Sequence, residues 1–128
     1  MEIRYIVLFA ALNGFIATGA SALGSHLLAS RLGMGAPLFA QSATFQFFHA
    51  LAMLGAAFVA SKSQNTLAGK AAVAFLLGIM LFCGTLYVRA LMGPGSLGPL
   101  HWLTPLGGLS MMAGWVMLAV AGFRIGKR

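Results

Sequence analysis

The side chains best suited to chemistry in this sequence are its three histidines, His26, His49 and His101. Histidine acts as a general acid or base and is the commonest metal ligand in proteins. No two of them stand at the short spacing by which one helix presents two ligands to a metal. The sequence therefore favours a chain without a metal, and we expect no cofactor.

A polar stripe accompanies His49. Ser42, Gln46 and His49 fall at positions i, i+4 and i+7, which is one face of a helix. In an apolar segment this face should point inward, because a polar group that faces lipid is costly. The stripe serves either as a ligand site or for hydrogen bonding between helices, and we favour the second. We expect the partners of Gln46 and His49 to be His26 or Tyr87, and His49 to be neutral at pH 7.

Other polar side chains stand near the ends of the apolar segments and complete a candidate polar cluster. Its members are His26, Gln46, His49, Tyr87, Arg89 and His101. Arg89 and Arg31 could bind a lipid phosphate, as basic residues at membrane interfaces do. Simple anchoring of helix ends at the interface is the alternative that we prefer.

Composition predicts the elements that must position these residues. The chain of 128 residues is 60% hydrophobic and 7% charged, whereas a soluble domain carries about 25% charged residues. A span needs roughly 20 apolar residues, so the length accommodates four. We therefore predict an all-α integral membrane four-helix bundle. It forms one domain, residues 1–128, with helices at about 5–28, 38–60, 69–91 and 104–123.

Breaks in the apolar pattern set these limits. A polar break is expected from Ser30 to Pro37, and Pro favours the first turn of the next helix. The Gly/Pro stretch from Gly93 to Pro99 predicts a loop. Thr104 and Pro105 then predict an N-cap and the first helical position of the fourth helix.

Charges predict orientation and exclude some functions. With four spans, six Lys and Arg residues fall on the side of the termini and two, Arg31 and Arg89, on the other. Cytoplasmic segments carry the Lys/Arg excess, so both termini should be cytoplasmic. Glu2 is the sole acidic residue, which argues against an ion pump and an enzyme. The basic residues form no basic face, so we expect membrane lipids as partners and no nucleic acid.

Small residues repeat at helical spacing. They are Ala10, Gly14, Thr18 and Ala22 in the first helix, Ala52, Ala56 and Ala60 in the second, and Gly107, Gly108 and Gly114 in the fourth. Small side chains let helices approach closely in lipid. The stripes predict either packing within the chain, which we favour, or self-association. Leucine at Gly14 or Gly108 should accordingly disrupt packing.

Four segments resemble conserved patterns of one family. They are Gly19-Ala-Ser-Ala-Leu-Gly-Ser-His26, Phe45-Gln-Phe-Phe-His-Ala-Leu-Ala52, Phe82-Cys-Gly-Thr-Leu-Tyr87 and Thr104-Pro-Leu-Gly-Gly-Leu109 with Gly114-Trp115. Together they resemble the YgdD-like family of small membrane proteins, domain of unknown function 423. The resemblance implies a four-helix protein of the bacterial inner membrane. Ser25, Cys83 and Arg89 depart from the family pattern, and the resemblance supplies no activity.

Three functions remain open. The leading one is a non-enzymatic accessory subunit of a larger membrane complex or a self-associating bundle. The second is binding or transport of a lipid or small hydrophobic molecule through the outer polar cluster. The third is a metal- or haem-binding redox subunit.

Overall fold

The fold is a membrane-type helical bundle, seen in a computed structural model that describes residues 1–63 and 65–126. All regular elements in these residues are helical. The α-helices are α1 (Ile3–Ser25), α2 (Ala29–Leu32), α3 (Ala36–Lys62), α4 (Leu67–Gly78), α5 (Gly84–Met92) and α6 (Leu103–Phe123). Two 3₁₀ turns, Gly33–Gly35 and Gly98–Trp102, precede α3 and α6, and a π-helical segment, Ile79–Cys83, joins α4 to α5.

Four helical stretches of the described residues are long and apolar enough to cross a bilayer. They are Ile3–Ser25, Ala29–Lys62, Leu67–Met92 and Gly98–Phe123. The all-α membrane architecture predicted from composition is confirmed. An even number of spans places both termini on one side of the membrane. That this side is the cytoplasm stays a prediction, which rests on the distribution of Lys and Arg.

One predicted helix start agrees with the structure and one differs. The break predicted from Ser30 to Pro37 holds the short helix α2 and a 3₁₀ turn, and α3 begins at Ala36, within two residues of the predicted start. Pro37 does lie in the first turn of α3, as its fixed φ angle favours. The N-cap prediction for Thr104 is wrong: α6 begins at Leu103, and the residue before it, Trp102, makes no side-chain cap.

The spans are arranged with α3 and α4–α5 in the centre and α1 and α6 at the edges. α1 packs almost entirely on α3, and α6 packs on α4 and the π-helical segment. The largest fully buried side chains include Ile6, Met53 and Phe75. A second small core, formed by Leu32, Phe39 and Ala90, lies where α2, α3 and α5 meet. α1 therefore presents most of its circumference away from the protein.

Glycines allow close approach at the contact of the third and fourth spans. A Cβ at Gly107 would lie 2.8 Å from Phe82 Cβ, and one at Gly114 would lie 2.8 Å from the Phe75 ring. Such distances are too short for a real methyl group, so only glycine permits these crossings. Gly78 is equally confined, against Met111 and the Gly107 carbonyl. The packing role predicted for Gly107 and Gly114 is confirmed.

The small-residue stripe of α1 behaves differently. Of its members only Ala10 is buried, whereas Thr18 and Ala22 are exposed. A Cβ at Gly14 would meet no atom within 4 Å, and one at Gly108 would make only an ordinary contact, 3.8 Å from Phe82. The packing role predicted for Gly14 is therefore wrong, since its neighbours leave room, whereas the effect of leucine at Gly108, where an added Cβ already contacts Phe82, stays a prediction. The buried residues of α1 are Ile6, Ala10 and Ala17.

Candidate functional site

A chain of hydrogen bonds ties the first three spans together in the protein interior. Tyr87 donates its hydroxyl proton to Gln46 Oε1 at 2.7 Å. Gln46 Nε2 donates to Asn13 Oδ1 at 3.0 Å, and Asn13 Nδ2 donates to the Phe9 carbonyl at 2.8 Å. Each amide thus donates with its nitrogen and accepts with its oxygen, so the direction of the chain is consistent throughout.

His49 lies one turn further along α3 and joins the second span to the fourth. Its Nδ1 is 2.7 Å from the Phe45 carbonyl, which can only accept a proton. Its Nε2 is 3.1 Å from the indole Nε1–H of Trp115, which can only donate. These partners require the neutral ring with its proton on Nδ1. Both nitrogens are used, so none is left for a substrate or a metal.

Aromatic rings surround this histidine. The ring centroids of Phe45, Phe75 and Trp115 lie 5.8, 5.7 and 5.8 Å from that of His49. Phe75 and Trp115 also meet edge to face, at 5.1 Å. The rings shield the imidazole on several sides while Trp115 itself remains 47% exposed. This geometry fixes the orientation of the ring, which is typical of a structural histidine.

Hydroxyl groups make the remaining ties between spans. Ser42 donates to the Cys83 carbonyl at 2.7 Å, at the end of the π-helical segment. Thr85 and Thr104 join their hydroxyls at 2.6 Å, and Ser110 donates to the Ala74 carbonyl at 2.8 Å. Among the described residues, no buried side-chain nitrogen or oxygen lacks a partner. The polar interior is thus closed on itself.

The structure brings together only part of the predicted polar cluster. Gln46 bonds to Tyr87, as predicted, and His49 lies on the same buried face of α3. His26 is exposed at the end of α1, and His101 is exposed in the turn before α6, where its Nδ1 is 3.0 Å from the Gly98 carbonyl. The prediction of His26 as a partner is therefore wrong, and so is that of Tyr87 as a partner of His49, because His49 bonds to the Phe45 carbonyl and to Trp115 of the fourth span. Over residues 1–63 and 65–126, no group of three or more His, Cys, Asp or Glu residues could hold a metal ion.

Arg89, the last member of the cluster, lies elsewhere. It lines a cavity of about 310 Å³ that opens at the membrane face opposite the termini. Arg31 lines the same cavity from α2. The two arginines thus come together apart from the buried hydrogen bonds, and their site is distinct from that of His49.

Sequence reasoning missed two contributors to the interior. Asn13 is a lone amide in an apolar span, and it shares a helix face with the buried Ile6, Ala10 and Ala17. That spacing was available as a signal. No signal in the sequence marked Trp115 as a partner of His49, because helix periodicity shows which face is buried and not which neighbour covers it.

Four apolar spans that enclose hydrogen-bonded polar side chains define a small multi-pass membrane protein. A family model described as "Protein of unknown function (DUF423)" matches residues 20–108. The chain is 33% identical to the UPF0382 inner membrane protein YgdD of Escherichia coli K12, over 100% of this chain and 96% of that one. The chain belongs to the DUF423 family, and it is a multi-pass protein of the bacterial inner membrane.

Other relatives extend the match. A UPF0382 membrane protein of Haemophilus influenzae is 32% identical, with 97% of both chains covered. YwdK of Bacillus subtilis is 29% identical, over 94% of this chain and 98% of that one. No solved structure matches the chain. These relatives are named as membrane proteins, and their names state no catalytic activity.

Proposed function

We propose that this protein is a non-catalytic membrane component that associates with a second copy of itself within the bilayer, through an outward face of α1. The observation that carries the proposal is the distribution of side chains around α1. The interior supports the non-catalytic part: its buried polar side chains bind one another or main-chain carbonyls, and Cys83, the sole cysteine, is buried. Among the described residues, no pair of free titratable groups remains there to transfer a proton.

The outward surface of α1 divides into two faces. On one lie small residues, which we call the small face: Ala11, Gly14, Thr18, Ser21, Ala22 and Ser25. On the other lie bulky apolar residues, which include Leu8, Leu12, Ile16 and Leu23, and Phe15 lies at the boundary between the two faces. Phe15 is 78% exposed, as suits a side chain in contact with lipid tails. The small face offers little apolar surface to lipid but permits close approach of another helix.

A groove adjoins the small face, between α1 and α3. Two neighbouring hollows of about 310 and 290 Å³ form it, and both are lined by Ser21 and Thr44. Thr18 borders the first and Ser25 the second. From residue 18 to 25 an α-helix rises about 10 Å, so the groove runs along the helix axis. Hydroxyl groups along it can bond to a partner helix, which strengthens association in lipid.

Cysteine cross-linking tests this proposal. In a two-fold symmetric pair of parallel copies, residues near the axis face their own counterparts. Thr18→Cys should therefore give a covalent dimer when native membranes are oxidised. Ile16→Cys, which lies about 160° around the helix from Thr18 on the bulky face, is the matched control and should stay monomeric. The unmodified chain should not cross-link either, because Cys83 is buried.

Two results would contradict the proposal. Equal cross-linking of both variants would mean random collision, and absence of any dimer would mean that the small face contacts only lipid. A cross-link from Thr18→Cys to a different protein, identified by mass spectrometry, would replace self-association by the accessory-subunit function.

The other two functions receive less support. A lipid site that combines His26, His49 and Arg89 does not form, because these residues lie in three separate places. The described residues gather no three metal-ligating side chains, and both nitrogens of His49 are engaged. Of these three residues, only Arg89 still supports the lipid-binding function.

A further inference from the structure

We infer that the cavity between Arg31 and Arg89 binds a phosphate group, carried by an anionic membrane lipid or free in solution. The cavity holds about 310 Å³, which is at the lower end of small-molecule sites. It thus has room for a headgroup and not for a whole lipid. The site is independent of the α1 small face, since none of its lining residues belongs to α1.

Two separate segments bring the arginines to the cavity. Arg31 is in the last turn of α2, and Arg89 is in the last turn of α5. The segments are held in register because Gly35 packs directly on the Ala90 carbonyl, where a Cβ would not fit. Leu32, which follows Arg31, packs in the small core with Ala90. The positions of the arginine backbones are therefore fixed before any ligand binds.

The two guanidinium groups have no counter-charge. The single acidic side chain of the sequence, Glu2, pairs with Arg4 at 2.9 Å, near the N-terminus. Within the part of the chain that the structure describes, neither Arg31 nor Arg89 makes a side-chain hydrogen bond or an ion pair. Arg89 is also half-buried. Two positive charges at one cavity repel each other unless an anion lies between them.

Guanidinium geometry favours phosphate among anions. Each guanidinium can donate two parallel hydrogen bonds to phosphate oxygens. Beside the arginines, the cavity is lined by apolar side chains, including Leu32, Leu38 and Met92. Met34 borders it with 97% of its surface exposed. These side chains lie where acyl chains would pass if the phosphate belongs to a lipid.

Native mass spectrometry of the purified protein tests the inference, with phosphatidylglycerol as the anionic lipid and phosphatidylcholine as the zwitterionic one. Phosphatidylglycerol should bind preferentially. One basic residue near an anionic surface contributes about fivefold in affinity, so Arg31→Gln and Arg89→Gln should each weaken binding about fivefold and the double variant about 30-fold. Arg124→Gln, which removes the same charge at the other end of the bundle, is the matched control and should bind normally.

Further measurements distinguish a lipid headgroup from free phosphate as the ligand. Calorimetric titration with inorganic phosphate, lost in the same variants, would support the site with free phosphate as ligand. Binding of phosphatidylglycerol alone would support it with a lipid. Arg89→Lys keeps the charge but loses the paired hydrogen bonds of the guanidinium, so it should bind more tightly than Arg89→Gln and less tightly than the unmodified chain. Equal binding of the two lipids, or equal loss in Arg124→Gln, would overturn the inference.

Discussion

Substitution of Gln46 by leucine tests the buried hydrogen-bond chain most sharply. The change keeps the volume of the side chain but removes its bonds to Asn13 and Tyr87. A hydrogen bond between membrane helices contributes about 0.6 kcal/mol on average and about 1.7 kcal/mol at most. Two lost bonds should therefore lower the free energy of unfolding by about 1.2 kcal/mol, with an upper value of about 3.4 kcal/mol.

A double-mutant cycle isolates one of these bonds. Tyr87→Phe keeps the ring and its edge-to-face contact with Phe39, at 5.1 Å, and removes only the hydroxyl. It should cost about 0.6 kcal/mol alone but almost nothing in a Gln46→Leu background, because its acceptor is already gone. Ser61→Ala removes an exposed bond within one helix and is the control, with little expected effect.

The measurement is equilibrium unfolding in mixed micelles, followed by circular dichroism. A coupling energy of about 0.6 kcal/mol between the two substitutions is the expected result. Additive effects of Gln46→Leu and Tyr87→Phe would refute the reasoning, since they would mean that the two side chains do not bond to each other.

Three further predictions concern the interior, the packing and the orientation. Nitrogen NMR should show His49 at pH 7 as the neutral ring protonated on Nδ1; an imidazolium, or a proton on Nε2, would contradict the bond from Trp115. Gly107→Ala should lower stability by about 1–3 kcal/mol because its methyl meets backbone, whereas Gly14→Ala should not destabilise; similar losses in thermal melts would contradict this packing. A reporter fused to the C-terminus should be active in the cytoplasm, and periplasmic activity would refute the charge-based orientation.

Apolar length and glycine positions made much of the fold predictable. Four spans follow from hydropathy, because each must satisfy its own backbone in lipid. The glycines of the fourth span were recognised because close crossings need small residues. For α1 the same reasoning failed: small residues there point outward, and spacing alone does not say whether a stripe contacts this chain or another.

The candidate site was only partly predictable. Polar residues at helical spacing on the second span indicated a buried face, and Tyr87 was one of the two partners expected for Gln46. The pairing of His49 with Trp115 depends on the fourth span packing beside the second, which periodicity does not encode. The π-helical segment, whose last carbonyl accepts from Ser42, had no recognised signal in the sequence.

The mass of the protein in native nanodiscs tests the proposed self-association most directly. The unmodified chain should be a dimer. Gly14→Leu should be a folded monomer, because no atom of the same chain lies within 4 Å of a Cβ there, while a bulky side chain on the small face blocks close approach of a second helix. A monomeric unmodified chain, or dimers that persist in Gly14→Leu, would contradict self-association through α1.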